Sequence, residues 1–170
     1  MTKFLDLAKQ RYSVRKFADK ELTDGQINEL LEAAKVAPTA CNNQPQKIYV
    51  VRSAEGMAKL NTLSPCMYGA KVCFMIGYDK NLAAKVSDRE GYCFGETDCA
   101  IVTSHIMLQA ADMGLGSCWV GRFNPDETHK AFDLPENIVL CDLLPVGYSD
   151  MGPSPRHETY RDQDETVEFI

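Results

Sequence analysis

No apolar run in this chain approaches the roughly 20 residues that a membrane-crossing helix needs, so no membrane partner is expected. Basic charge is not in excess either: 18 Lys and Arg face 24 Asp and Glu, for a net charge of −6. That balance argues against nucleic-acid binding, which favours a basic domain. The seven cysteines, Cys41, Cys66, Cys73, Cys93, Cys99, Cys118 and Cys141, are odd in number and contain no CxxC pair. Met1 to Gln10 carries no export-signal pattern. Free thiols in a cytoplasmic protein are therefore the expectation. Zinc fits poorly, because no pair of close ligands repeats and Cys93, Cys99 and His105 recur every six residues, off any single helical face. No metal is expected.

Several catalytic signatures are also missing. There is no GxxxxGK[ST] loop to cradle phosphates and no GxSxG nucleophile elbow. Gly114-x-Gly116 begins like a dinucleotide fingerprint, but position 119 is Trp and the segment follows a helical pattern where the fingerprint follows a strand. Cys118 with His129 or His105 is a conceivable nucleophilic pair. Cys118 falls in an apolar strand pattern, where a buried structural thiol is the commoner case.

What is present reads as one domain over residues 1–170, with 45% hydrophobic and 25% charged residues, ordinary for a globular chain. Leu22 to Val36 has the pattern of an amphipathic helix. Thr23 and Gln26 form a capping box, Ile27, Leu30, Leu31 and Ala34 make one stripe, and Pro38 stops it. A polar loop, Thr39 to Gln46, leads to a strand at Lys47–Arg52, then a short helix at Ser53–Leu63. Val72 to Tyr78 is apolar throughout, as in a strand buried on both faces. Asp98 to Met113 is apolar nearly all round, which suits a central helix or a subunit interface. Gly114 and Gly116 end it. Strands follow at Ser117–Gly121 and Val139–Tyr148, the latter interrupted by Pro145, which implies an edge position or a bulge there. Between them Asn124-Pro125 starts a helix that Leu134-Pro135 ends. From Ser149 onward the chain is polar, with Val167, Phe169 and Ile170 at its end, a tail suited to reaching a partner. The count, about four strands and five helices interleaved, gives α/β or α+β, with helices covering a mixed sheet.

Against the acidic background, Arg11-Tyr12-Ser13-Val14-Arg15-Lys16-Phe17 stands out. On an extended segment Arg11, Ser13 and Arg15 point to one side. Arginine's planar fork suits a phosphate. The alternative is a solvated charge run, and a short basic motif alone does not decide between them.

Four segments in order resemble the FMN-dependent nitroreductase family. Arg11 to Phe17 is similar to its R-x-S-x-R-x-F motif. Ala37-Pro38-Thr39-Ala40-Cys41-Asn42-Asn43-Gln44-Pro45 resembles its A-P-S-x-x-N-x-Q-P loop. Asp98 and the following helix, closing with Gly114-Leu115-Gly116-Ser117-Cys118-Trp119-Val120-Gly121, resemble its central helix and G-L-G-S-C-W-x-G strand. Leu144-Pro145-Val146-Gly147-Tyr148 is similar to its L-x-x-G-Y element. The resemblance implies an α+β fold in three layers, with a mixed, mainly antiparallel sheet of about four to five strands flanked by helices. It also implies a homodimer with FMN at the subunit interface and ping-pong transfer from NADH or NADPH through the flavin to an acceptor. It implies that Arg11, Ser13 and Arg15 hold the phosphate, ribityl chain and pyrimidine edge. Pro38, Thr39, Ala40 and Asn42 would line the isoalloxazine from the other subunit, and Asn42 and Gln44 can supply the amide partners that its pyrimidine edge needs. Trp119, Val120 and Gly121 would pass over the ring, with the Gly121 N–H near flavin N5. Chemistry carried by a cofactor needs no acid, base or nucleophile from the protein, in keeping with the empty motif search.

The chain departs from the family pattern in places. Acids interrupt the usually basic tail, Pro155-Arg156-His157-Glu158-Thr159-Tyr160-Arg161-Asp162, which leaves Arg156 or Arg161 for the phosphate. Gln46 stands where an aromatic is usual. No Asn or Lys lies between Leu63 and Tyr68, where some members place a flavin contact. The leading expectation is an NAD(P)H oxidoreductase acting on nitroaromatic or quinone acceptors. The alternatives are a flavin-storing module and a reductive dehalogenase of the same fold.

Overall fold

The computed structural model describes residues 3–87 and 89–170; Met1 and Thr2, part of the segment read for an export signal, lie outside them. The order is α1 (Lys3–Gln10), α2 (Asp24–Lys35), β1 (Gln46–Val51), α3 (Ala54–Leu63), β2 (Val72–Asp79), α4 (Gly95–Asp112), β3 (Gly116–Ser117), α5 (Pro125–Ala131) and β4 (Ile138–Gly147). One antiparallel sheet has the order β1-β2-β4-β3. A parallel bridge from Ser13 to Ser117 adds the N-terminal segment at its edge, so the fold is α+β and the sheet mainly antiparallel. No helix of the described residues is long and apolar enough to cross a membrane.

Strand β2 organises the core. Its alternate side chains divide between the two faces. Val72, Phe74, Ile76 and Tyr78 pack with α2 and α4, whereas Cys73 and Met75 pack with Met57 and Leu60 of α3 and with Val14 and Phe17. All but its last residue are buried, as the unbroken apolar run required. Helices therefore cover both sides, giving the expected three layers.

Local signals account for most boundaries. Thr23 caps α2, with both halves of the capping box made. Asn124 accepts the N–H groups of Asp126 and Glu127 at the start of α5. Three expectations need correction. Helix α4 begins at Gly95, three residues before Asp98. The Tyr78 ring packs so closely on Gly95 that an added Cβ would lie 2.3 Å from it, so glycine lets the helix start beneath that ring. Pro145 is not on an edge strand, because β4 lies between β2 and β3. The bulge in β4 is opposite Ile76 and Gly77, not at Pro145, and at Gly77 an added Cβ would meet the Val139 carbonyl oxygen at 2.4 Å. Finally, the strand expected at Ser117–Gly121 is only Gly116–Ser117, with an isolated bridge from Val120 to Leu143. The two last points share one cause. Cys118 donates to the Pro145 carbonyl, but proline has no N–H to return the bond, and the ladder lapses there.

Candidate functional site

Seven residues of the basic segment and its surroundings meet in one cleft. Arg11, Ser13 and Arg15 line a cavity of about 250 Å³ with Tyr12, Ser154, Arg156 and His157. The segment is held extended because the Val14 N–H donates to the Ser117 carbonyl at 2.9 Å, while buried Val14 and Phe17 anchor it in the core. Alternation then leaves Arg11, Ser13 and Arg15 on the open side. The start of the tail folds back onto the same place. Tyr12 donates its hydroxyl to the Met151 carbonyl, and His157 donates from Nε2 to the Lys9 carbonyl at 2.7 Å. That turn brings Arg156 to the cleft. Arg161 is elsewhere: it is paired with Glu165 at 3.0 Å. Three guanidiniums and a hydroxyl converging on one hollow make an anion site. Tyr12, Ser154 and His157 line it too; their places in the sequence, inside the R-x-S motif and beside Arg156, were the only hint.

The Pro38–Gln44 loop lies at the far end of α4. Its backbone is unusual: Cys41, Asn42 and Gln44 all have positive φ without being glycine, a conformation costly enough to need support. Support comes from two bonds. Asp98 Oδ1 accepts the Ala40 N–H at 2.8 Å, and Thr39 Oγ1 accepts the Gln44 N–H at 3.0 Å. Pro38, Asn42 and Gln44 are exposed and Thr39 and Ala40 half-buried. Asp98 itself is buried, and its Oδ2 has no hydrogen-bond partner among the described residues. Gln46 opens β1 beside the loop, its Oε1 likewise buried and unpartnered.

Helix α4 separates these two groups. Asp98, near its start, holds the loop; Ala111, near its end, lines a cavity with Gln10, Arg11 and Tyr12. The 13 residue steps from 98 to 111 rise about 20 Å. The chain thus presents the anion cleft and the strained loop at opposite ends of a long central helix.

Trp119, Val120 and Gly121 run along the sheet edge from the cleft. Val120 is buried and paired with Leu143. Gly121 is exposed, with open space where a side chain would stand. The Trp119 indole donates to Asp142 Oδ1 at 2.6 Å, and Thr103 lies 3.3 Å from Asp142 Oδ2. Burial pushes the Asp142 carboxyl above the ordinary range; the bonds from Trp119 and Thr103 oppose that, and nearby Glu96 adds to it. Sequence reading missed both aspartates as supports, since each acts through a residue distant in the chain.

A Cys/His nucleophile finds no support. Burial pushes the Cys118 thiol up, and His105 and His129 are each tied to a backbone carbonyl, of Ile101 and Pro135. All seven cysteines are free. Among the described residues no group of three or more metal-ligating side chains stands together.

Comparison with known proteins places this arrangement. The sequence pattern of the nitroreductase family matches residues 8–65 and 60–148. A protein of Archaeoglobus fulgidus that carries the name NADH dehydrogenase/NAD(P)H nitroreductase is 31% identical over 155 residues, covering 87% of this chain and 86% of its own. The crystal structure of a nitroreductase family protein from Clostridium difficile 630 superposes with a TM-score of 0.92 at 34% identity, over 99% of this chain and 98% of the other. A nitroreductase from Desulfovibrio desulfuricans, solved in complex with FMN, shares the fold with a TM-score of 0.86 at 22% identity, over 100% and 98% of the two chains. The chain, with its anion cleft at one end of α4 and its strained loop at the other, belongs to the nitroreductase family.

Proposed function

We propose that this protein is an FMN-dependent NAD(P)H oxidoreductase whose cofactor site is shared between two copies of the chain. The observation that carries the reading is the convergence of Arg11, Ser13, Arg15 and Arg156 on one cleft. That donor set fits the phosphate of FMN, a dianion that needs arginine forks and hydroxyl donors. FMN, when bound, supplies the hydride chemistry and the transfer to nitroaromatic, quinone or related acceptors. The protein's part is to bind, orient and shield it.

In this reading Arg156 completes the phosphate grip and Arg161 takes no part. Trp119 and Gly121 border the ring system, Asp142 fixing the indole and Gly121 leaving backbone open to approach. Pro38, Thr39, Ala40, Asn42 and Gln44 form the other wall. The length of α4 supports a homodimer, because a second copy brings its loop to a cleft that the first copy's loop is about 20 Å from reaching. Exposed Phe4 and Leu5 on α1, and Tyr160, Val167, Phe169 and Ile170 in the tail, are apolar surface for such a partner to cover.

The purified protein should be yellow, and anaerobic NADH or NADPH should bleach it, with a quinone or nitroaromatic acceptor restoring the colour. It should sediment as a dimer. A protein that takes up no FMN would sink the reading. One that holds FMN as a monomer would sink the shared site. One that stays yellow under both reductants would instead be a flavin store.

A further inference from the structure

We propose that the basic cavity framed by Lys80, Lys85 and Arg89 docks the phosphate groups of the nicotinamide dinucleotide, an inference that rests on the function proposed above. The cavity measures about 520 Å³, within the range of small-molecule sites, and Glu90, Tyr92 and Cys93 also line it. Among the described residues that line it, three cations face one carboxylate, in a chain whose net charge is −6. Among the described residues none of the three cations is in an ion pair. A second surface cavity, lined by Glu21, Asp24, Arg52 and Lys71, makes the contrast: its arginine is paired with Asp24 and its lysine with Asp19.

The cations sit on a built hairpin. Lys85 bridges Cys93 in antiparallel fashion, the Phe94 N–H donates to the Ala84 carbonyl at 2.9 Å, and Ala83 and Ala84 are buried beneath. The Arg89 guanidinium lies 3.9 Å from the centroid of the Tyr92 ring. Stacking holds its plane and leaves the N–H edges free for an oxyanion. Asp79, the nearby acid at the base of the hairpin, is already engaged by the Asn81 N–H and the Asn137 amide.

Position supplies the rest. Asn43 donates to the Leu82 carbonyl at 3.0 Å, so the hairpin is bonded to the same loop that carries Asn42 and Gln44. A dinucleotide whose phosphates rest on Lys85 and Arg89 has its nicotinamide end directed towards that wall. The cavity therefore serves the reductant, whereas the Arg11 cleft serves the resident cofactor.

The test uses the holoprotein and a Lys85→Ala/Arg89→Ala variant, each titrated anaerobically with NADPH and with NADH while flavin bleaching is followed. The variant should keep its FMN and need about tenfold to a hundredfold more reductant for half-maximal bleaching rate, the span of one charge-assisted hydrogen bond. A loss confined to NADPH assigns the 2′-phosphate to the cavity; an equal loss with both assigns the shared pyrophosphate. An unchanged half-saturating concentration overturns the proposal. Should neither nucleotide bleach the wild type, the oxidoreductase reading fails by itself. Calorimetric titration with NADP⁺ then decides the cavity: weaker binding by the variant supports it, and equal or absent binding in both proteins overturns it.

Discussion

Arg156 and Arg161 are five residues apart in the same tail, and the sequence offers no ground for choosing between them as phosphate ligands. Their surroundings differ sharply. Arg156 lines the cleft with Arg11, Ser13 and Arg15. Arg161 is bonded through Nε to Glu165 at 3.0 Å, with both side chains more than half exposed. Arg156→Ala removes a charge-assisted bond to the anion, a loss of about 1.5–3 kcal/mol. At roughly 1.4 kcal/mol per decade that raises the FMN dissociation constant by about tenfold to a hundredfold. Arg161→Ala breaks only a surface pair, whose worth is about 0–1 kcal/mol, and should leave FMN affinity within about twofold.

Fluorescence quenching of FMN on titration with apoprotein reads both constants directly. Salt provides an internal control. Raising ionic strength from about 0.1 M to 1 M shortens the screening length from about 10 Å to 3 Å. The wild type should lose more affinity over that range than Arg156→Ala, which has one fewer cation to screen. Flavin release by Arg161→Ala, with Arg156→Ala unaffected, would refute the assignment and with it the account of the tail's fold-back.

Other outcomes follow from single contacts. Gly95→Ala should destabilise the fold by about 1–3 kcal/mol, since its Cβ would stand 2.3 Å from the Tyr78 ring; an unchanged urea midpoint would show that the ring yields freely. Thr23→Ala should cost about 1 kcal/mol through loss of the α2 cap, and Thr23→Ser should restore most of it. The Asp142 carboxyl has its folded value raised above 3.8 by burial. The folded state therefore holds that proton more tightly than the unfolded chain, and its contribution is lost as pH rises from about 3.8 through the higher folded value. Asp142→Asn should lack that slope when urea stability is compared with wild type across the acid range; parallel pH profiles would remove Asp142 as its source.

Elements with their own local signal were legible in the sequence. Thr23 and Gln26 sit within one turn of each other, and Asn124-Pro125 carries a cap and a first helical residue, so these helix starts need no tertiary information. The apolar run Val72 to Tyr78 announced a strand covered on both faces. What escaped depends on partners far along the chain. Gly95 starts α4 because Tyr78 from β2 lies over it, 17 residues earlier. The Ala40 loop keeps three positive-φ residues because Asp98 reaches it across 58 residues. Neither dependence leaves a pattern in its own segment. Helix α1 escaped for the opposite reason: it is eight residues long and none of them is buried, so its Phe4 and Leu5 stay exposed and join no core.

Pro145 shows how a correct local rule can point to the wrong place. Proline interrupts a ladder on the side its nitrogen faces, and the sequence reading located that cost on β4 itself, as an edge position or a bulge. Strand β4 instead keeps Pro145 paired with Cys73 of β2, and the missing bond falls on β3. Shortening β3 takes Trp119 and Gly121 out of a regular ladder. The indole then turns to Asp142, and Gly121 stays exposed with open space beside it. The same residue that misled the strand assignment thus accounts for the open backbone on which the proposed flavin site depends. Pro145→Ala, which restores an N–H opposite the Cys118 carbonyl, should let β3 extend from Ser117 towards Val120. Slower amide exchange at Trp119 and Val120, together with weaker FMN binding, would mark that extension. Unaltered exchange in the variant would mean that something other than the missing donor keeps the edge open.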